Sequence, residues 1–229
     1  MKIALAYAMP EEIESLLAAA GARALETVCG VAFYEIEPDI IAYAGGIGKV
    51  NAAMAAQLCL DRYHPDWVVN AGVAGSFHDL PIGTVVLAED FVQHDVDTSA
   101  VDGVVGLIPT LELTSLPTDQ PDRAGAILAE LGVAHVRGRV ATGDVFMVKG
   151  DRADTVAAAF TPTLCEMEGG AIAQVCLRNG VRFAALKSVS DHLFSENQAE
   201  EYFDFGQALE QLGSVVLPFA QALQKEDFA

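Results

Sequence analysis

The chain predicts an α/β fold: a single domain with a central mixed, largely parallel β-sheet flanked by helices. Three observations carry this expectation. Short apolar runs of strand character alternate with Ala-rich segments of helical period along most of the sequence. A length of 229 residues suits one domain built on one large core. No internal repeat, low-complexity tract or linker divides it.

Taken in order, strands are expected over residues 2–7, 40–44, 67–70, 84–88, 136–141, 163–166 and 183–189. Helices are expected over 11–20, 49–63, 122–131, 151–160, 170–178 and 199–223, with Pro218 kinking or shortening the last. Residues 97–120, rich in Asp, Thr, Pro and Gly, form the least regular stretch and read as a surface excursion or an interface loop. Met1 to Tyr7 is too short for a signal-peptide core and is expected as a buried first strand.

Hydrophobic residues make up 52% of the chain, yet no run approaches the roughly 18–20 apolar residues of a membrane span. A formal net charge of −19 repels phosphate backbones and anionic lipid, which argues against nucleic-acid and membrane partners. Cys29, Cys59, Cys165 and Cys176 lie in apolar segments without metal spacing and read as reduced core residues of a cytoplasmic protein. His64, His78, His94, His135 and His192 form no close pair, so neither a metal nor an organic cofactor is expected.

Chemistry concentrates where strands are expected to end. Cys165-Glu166-Met167-Glu168-Gly169-Gly170 marks the passage from a buried run into a small-residue helix, and Asp191 follows another apolar strand. Carboxylates at strand exits cost desolvation energy, and strand carboxyl ends are where open α/β sheets place ligands. Ala8-Met9-Pro10-Glu11-Glu12 joins the first strand to the first helix. The helix dipole accounts for Glu11 and Glu14, whereas Glu12, behind a Met-Pro turn, is equally a functional candidate.

Gly45-Gly46-Ile47-Gly48-Lys49 departs from both the P-loop and the GxGxxG patterns, and reads as a tight turn that brings backbone close to a ligand. Asn70-Ala71-Gly72-Val73-Ala74-Gly75-Ser76 reads as a second such turn, and Gly143-Asp144-Val145-Phe146-Met147 as a third. Taken by itself Phe146 reads as core, although a loop Phe offers a face on which a base stacks. Helix capping and close packing explain each of these residues separately, but not their joint placement at one sheet edge.

In order and spacing these segments, together with His94-Asp95-Val96-Asp97 and Ser190-Asp191, resemble the bacterial 5′-methylthioadenosine/S-adenosylhomocysteine nucleosidases of the purine nucleoside phosphorylase superfamily. The matching motifs span residues 8–191. The resemblance implies a nucleoside phosphorylase-like fold, hydrolysis of the N-glycosidic bond of an adenine nucleoside, and a homodimer. It casts Asp191 as the acid that protonates adenine N7, oriented by Ser190, and Glu12 as the base that activates water. Glu168 would hold the ribose hydroxyls with Met167 against the sugar. Phe146 would stack on adenine and the backbone of Met147 would read its edge. Met9, Ile47 and Val73 would line the sugar and 5′-substituent pocket, with Tyr202 or Phe205 as an apolar lid.

Residue chemistry agrees, because an oxocarbenium-like state and a poor leaving group call for carboxylates and a proton donor. All eight arginines avoid the glycine turns at 45–48 and 72–75, where a phosphorylase would need an anion fork, so water is the expected nucleophile. The chain departs from the family pattern at Val73, where a serine is common, and at Lys187, where an arginine is common. Thr98-Ser99-Ala100-Val101 also lacks the usual aromatic. These departures keep a futalosine-type nucleoside hydrolase and a purine nucleoside phosphorylase as alternatives. A catalytically silent nucleoside-binding domain would not need Glu12, Glu168 and Asp191 together.

Overall fold

The computed structural model describes residues 1–203 and 205–226, apart from the side chains of residues 199, 202 and 203. The candidate lid side chain of Tyr202 thus lies outside the described residues. The chain opens with β1 (Ile3–Tyr7), α1 (Pro10–Ala20), β2 (Arg23–Val28), β3 (Val31–Glu37), β4 (Ile40–Ala44), α2 (Lys49–Tyr63) and β5 (Trp67–Ser76). It continues with β6 (Val85–Gln93), α3 (Ser99–Asp102), β7 (Leu116–Pro117), α4 (Pro121–Glu130), β8 (His135–Thr142) and α5 (Asp151–Phe160). The last elements are β9 (Leu164–Glu166), α6 (Gly169–Asn179), β10 (Arg182–His192), α7 (Gln198–Phe203) and α8 (Gly206–Gln224).

The strands form one mixed sheet in the order β10-β6-β8-β9-β5-β1-β4-β3-β2, with β7 on β6. β10 also pairs with β5, so the β5, β10, β6, β8 and β9 half closes on itself, while β1, β4, β3 and β2 extend from β5 as an open wing. Pairing is parallel at β1–β4, β1–β5, β5–β10, β6–β8 and β8–β9, and antiparallel in the hairpins and at β5–β9 and β6–β10.

Helices cover both faces. Ala52, Ala55, Ala56 and Cys59 of α2 pack with Ala171, Ile172, Ala173 and Cys176 of α6 against one side. α1, α4 and α8 bury Ile13, Leu16, Ala124, Ile127, Leu212, Val216 and Phe219 against the other. Alanine on α2 and α6 lets these helices approach closely, and the burial of aliphatic side chains on both faces supplies the main favourable term.

Several expectations need correction. The β2–β3 hairpin was not expected. β2 is largely exposed, so its burial pattern is weak, and its turn uses Cys29 at φ +51°, an unusual residue for the left-handed region. Cys29 is exposed rather than core, whereas Cys59, Cys165 and Cys176 are buried. The expected second turn at residues 70–76 is the continuation of β5, and Asp191 lies within β10 rather than beyond it. The expected helix over 199–223 is divided into α7 and α8, and Pro218 lies inside α8, which runs on to Gln224. Among the described residues no helix is long and apolar enough to cross a membrane.

Candidate active site

Glu12 owes its position to the start of α1. Pro10 sets the first helical turn, and Glu12 at its third position folds back so that Oε2 accepts from the Ala8 and Met9 N–H groups, both at 2.9 Å. Its Oε1 accepts the Val73 N–H at 3.0 Å. Gly72 makes this approach possible, since a Cβ there would stand 2.7 Å from Glu12 Oε1. Burial drives the Glu12 pKa up, and the backbone amides and the Lys187 charge oppose the shift only in part.

Glu168 precedes α6 and reaches across to the 45–48 turn, where the Gly48 N–H donates to Oε1 at 2.8 Å. Gly48 has φ +94°, and a Cβ there would meet Asp144 Oδ1 at 3.0 Å, so only glycine serves comfortably. Burial and the neighbouring Glu166 charge push the Glu168 pKa up to about 7, against the lowering effects of Lys187 and the Gly48 amide. Three loops are fastened here. Asp144 accepts the Lys49 N–H at 2.7 Å, Lys49 Nζ pairs with Asp95 at 2.6 Å, and Asp95 accepts the Asp144 N–H at 2.9 Å.

Under Glu168 sits a fully buried ion pair. Lys187 Nζ, on β10, donates to Glu166 Oε2 at 3.0 Å, and that oxygen also accepts from Gly169 N–H at 2.6 Å and Glu168 N–H at 3.1 Å. The Thr142 hydroxyl donates to the other Glu166 oxygen. Glu166 therefore caps α6 while Lys187 balances its charge, the condition under which a buried charge is tolerated.

Asp191 is buried at the far end of β10. A register shift between Val189 and Asp191 against β5 breaks the strand's alternation there, and Ser190 and Asp191 both face the cavity. Ser190 Oγ–H donates to Asp191 Oδ1 at 2.7 Å, and Gln198 Nε2 donates to Oδ2 at 2.9 Å. Burial raises the Asp191 pKa despite these two donors.

These groups line one cavity of about 300 Å³. Its walls are Ala8, Met9, Glu12, Ile47, Val73, Ala74, Gly75, Val145, Phe146, Met147, Cys165, Glu166, Met167, Glu168, Ser190 and Asp191. The sequence-derived candidates Glu12, Asp191, Met9, Ile47, Val73, Phe146, Met147, Met167, Glu168 and Ser190 are all among them, whereas Phe205, a candidate for the lid, is not. Phe146 is 45% exposed at the mouth, which corrects the reading of this residue as core. The walls are mostly apolar, and their charged side chains are carboxyls alone.

Sequence reasoning did not single out Gln198; it noted Glu166 as part of a motif and Lys187 as a departure from the family pattern, without pairing the two. Lys187 in an otherwise apolar strand, facing the Glu166-Met167-Glu168 segment, was the available signal for the ion pair. Nothing in the sequence around Gln198 announced its role.

The family described as the phosphorylase superfamily matches residues 2–221. A 5′-methylthioadenosine/S-adenosylhomocysteine nucleosidase of Shewanella sp. is 35% identical over 207 residues, covering 87% of this chain and 90% of that protein. The chain belongs to the 5′-methylthioadenosine/S-adenosylhomocysteine nucleosidase family. It is an enzyme of the nucleoside-hydrolase class within the phosphorylase superfamily. A mutant of the Helicobacter pylori nucleosidase, with 5′-methylthioadenosine in its active site, superposes at a TM-score of 0.88 with 28% identity, covering 96% of this chain and 98% of the other. A futalosine hydrolase of Helicobacter pylori superposes at 0.88 with 27% identity over 97% and 98%.

Proposed function

We propose that this nucleosidase hydrolyses the N-glycosidic bond of 5′-methylthioadenosine, S-adenosylhomocysteine or both. The observation that carries this reading is the convergence of Glu12, Glu168 and Asp191, each buried and each with a raised pKa, on a single cavity bearing Phe146 at its mouth. Protonated Asp191, oriented by Ser190, gives its proton to adenine N7 as the C1′–N9 bond breaks and the bonding pair leaves with the base. Water, deprotonated by Glu12, adds to C1′ of the oxocarbenium-like sugar. A raised pKa serves both roles, because it keeps Asp191 protonated closer to neutral pH and makes Glu12 a stronger base. Glu168 accepts from the ribose 2′- and 3′-hydroxyls and Met167 packs on the sugar. Phe146 stacks on adenine, the backbone of Met147 meets its edge, and Met9, Ile47 and Val73 surround the sugar and 5′ end.

Water rather than phosphate fits a cavity whose described lining carries no arginine or lysine. Phosphate would meet the carboxyls of Glu12, Glu166, Glu168 and Asp191 and no fork. We further place the enzyme in the cytoplasm as a homodimer, in line with its reduced cysteines and the family resemblance. A futalosine-type substrate is the second reading, favoured by the equally close superposition of a futalosine hydrolase.

The test is adenine release from 5′-methylthioadenosine and S-adenosylhomocysteine, with and without phosphate, beside inosine and futalosine. Phosphate-independent adenine is expected. Release that requires phosphate, or that occurs only from inosine or futalosine, overturns the substrate assignment.

A further inference from the structure

Gln198, at the start of α7, is 7% exposed. Its Nε2 donates to two oxygens at once, the Met147 carbonyl at 2.8 Å and Asp191 Oδ2 at 2.9 Å. Both partners line the cavity, and they belong to different walls, the loop after β8 and the end of β10. Because both are acceptors, only the NH₂ end of the carboxamide suits this position. We propose that the Gln198 carboxamide occupies, in the free enzyme, the place of the exocyclic amino group of the adenine base and must withdraw when the base binds.

The inference rests on the reading that Asp191 meets adenine N7. On adenine the 6-amino group is the neighbour of N7 and carries two in-plane N–H donors. A base with N7 at the Asp191 carboxyl therefore directs an NH₂ group towards the region that Gln198 now fills. Binding becomes an exchange of one NH₂ for another, so that the Met147 carbonyl and Asp191 Oδ2, which would be costly to leave unpartnered, have a donor in both states. Gln198 can leave without unseating its helix. Glu201, one turn further along α7, is held independently by the His192 N–H at 2.9 Å and the Ser195 hydroxyl at 2.7 Å.

An internal competitor weakens the ligand it imitates, which gives the proposal a sign that a purely structural role would not produce. Gln198→Met keeps the length and packing of the side chain but removes both donors, and Gln198→Ala serves as the second variant. Each is expected to bind adenine about three- to tenfold more tightly than the wild type in calorimetric titration, the equivalent of one modest hydrogen bond. KM for 5′-methylthioadenosine should fall with it. The free variants should melt below the wild type, and the gap should close at saturating adenine, where Gln198 is displaced in the wild type as well. The alkaline limb of kcat/KM should move to higher pH, since a donor that favours ionised Asp191 is gone. Weaker or unchanged adenine binding, or a melting gap that persists at saturation, would overturn the proposal and make Gln198 part of the bound complex. Wild-type protein run alongside separates the two levels. Failure of the wild type to bind adenine sinks the functional reading and this inference together, whereas normal wild-type binding with weakened variants sinks this inference alone.

Discussion

The two ends of the cavity hold their carboxyl groups by different means. Glu12 is gripped by three backbone N–H groups, from Ala8, Met9 and Val73, while Asp191 is held by two side chains, Ser190 and Gln198. Backbone amides cannot rotate away, so the Glu12 end is set before substrate arrives. Side-chain donors can exchange for ligand groups, so the Asp191 end can trade its partners for a base. On the proposed mechanism the site aims a water molecule at one end and receives and releases a planar base at the other, and a fixed end beside an adaptable one suits those two tasks.

The strongest way to break the comparison is at the adaptable end. Asp191→Asn is expected to lower kcat by about 10²–10⁴-fold with adenine binding largely retained, as single-turnover adenine release and titration would read. Near-normal turnover would mean that some other group protonates the base.

Gly72→Ala and Gly75→Ala sharpen it. The new Cβ at residue 72 meets Glu12 Oε1 at 2.7 Å, and that oxygen is pinned by backbone, so kcat/KM should fall on the order of 10²-fold. At residue 75 the Cβ meets Leu193 Cδ1 at 2.8 Å and Asp191 Oδ2 at 3.0 Å, both ends of side chains, and the loss should be smaller. Equal losses would erase the distinction between the two ends.

Glu168, between them, yields a stability effect. Its folded pKa of about 7 lies above its unfolded value, so the folded state binds more protons. Stability is highest below the unfolded pKa and declines as pH rises through about 7. Glu168→Gln should therefore melt several degrees above the wild type at pH 8, up to about 3 kcal/mol, with the difference shrinking towards pH 4. A melting difference independent of pH would show that Glu168 does not carry this charge cost.

The smallest effect concerns α7. Burial lowers the His192 pKa, but the Leu80 carbonyl 2.6 Å from Nε2 and Glu201 3.0 Å from Nδ1 outweigh it and raise it. A raised histidine stabilises below its unfolded pKa and loses that contribution as pH rises through the folded one. His192→Gln should speed amide hydrogen exchange in α7 modestly at pH 6 and hardly at all at pH 9, after correction for intrinsic rates. Equal acceleration at both pH values would remove charge from the account.

The comparison also explains what the sequence disclosed. The framework of α1, α2, α5 and the apolar strands was legible because period and burial coincide there. The stretch from Asn70 to Ser76 was misread as a turn because it is rich in Gly and Ala. Its small residues instead let carboxyls approach a central strand, Gly72 beneath Glu12 and Gly75 beneath Asp191. The three acids were readable from motif and chemistry. Gln198 was not, since its part depends on α7 folding back over Met147, a long-range contact with no local pattern. The exposed β2 hides for the opposite reason, having too little burial to mark it.

The irregularity at the end of β10 sets a limit on what sequence change the site can absorb. Residues one apart on a regular strand point to opposite faces, yet Ser190 and Asp191 both look into the cavity because the register slips between Val189 and Asp191. The count of residues there matters as much as their identity. Substitutions at 188 and 189 leave the strand's aim at Asp191 unchanged, and loss of the Ser190 hydroxyl removes one of its hydrogen bonds, whereas losing or gaining a single residue would turn Asp191 towards the opposite layer of the protein. The segment's length is therefore as much a part of the site's geometry as the side chains it carries.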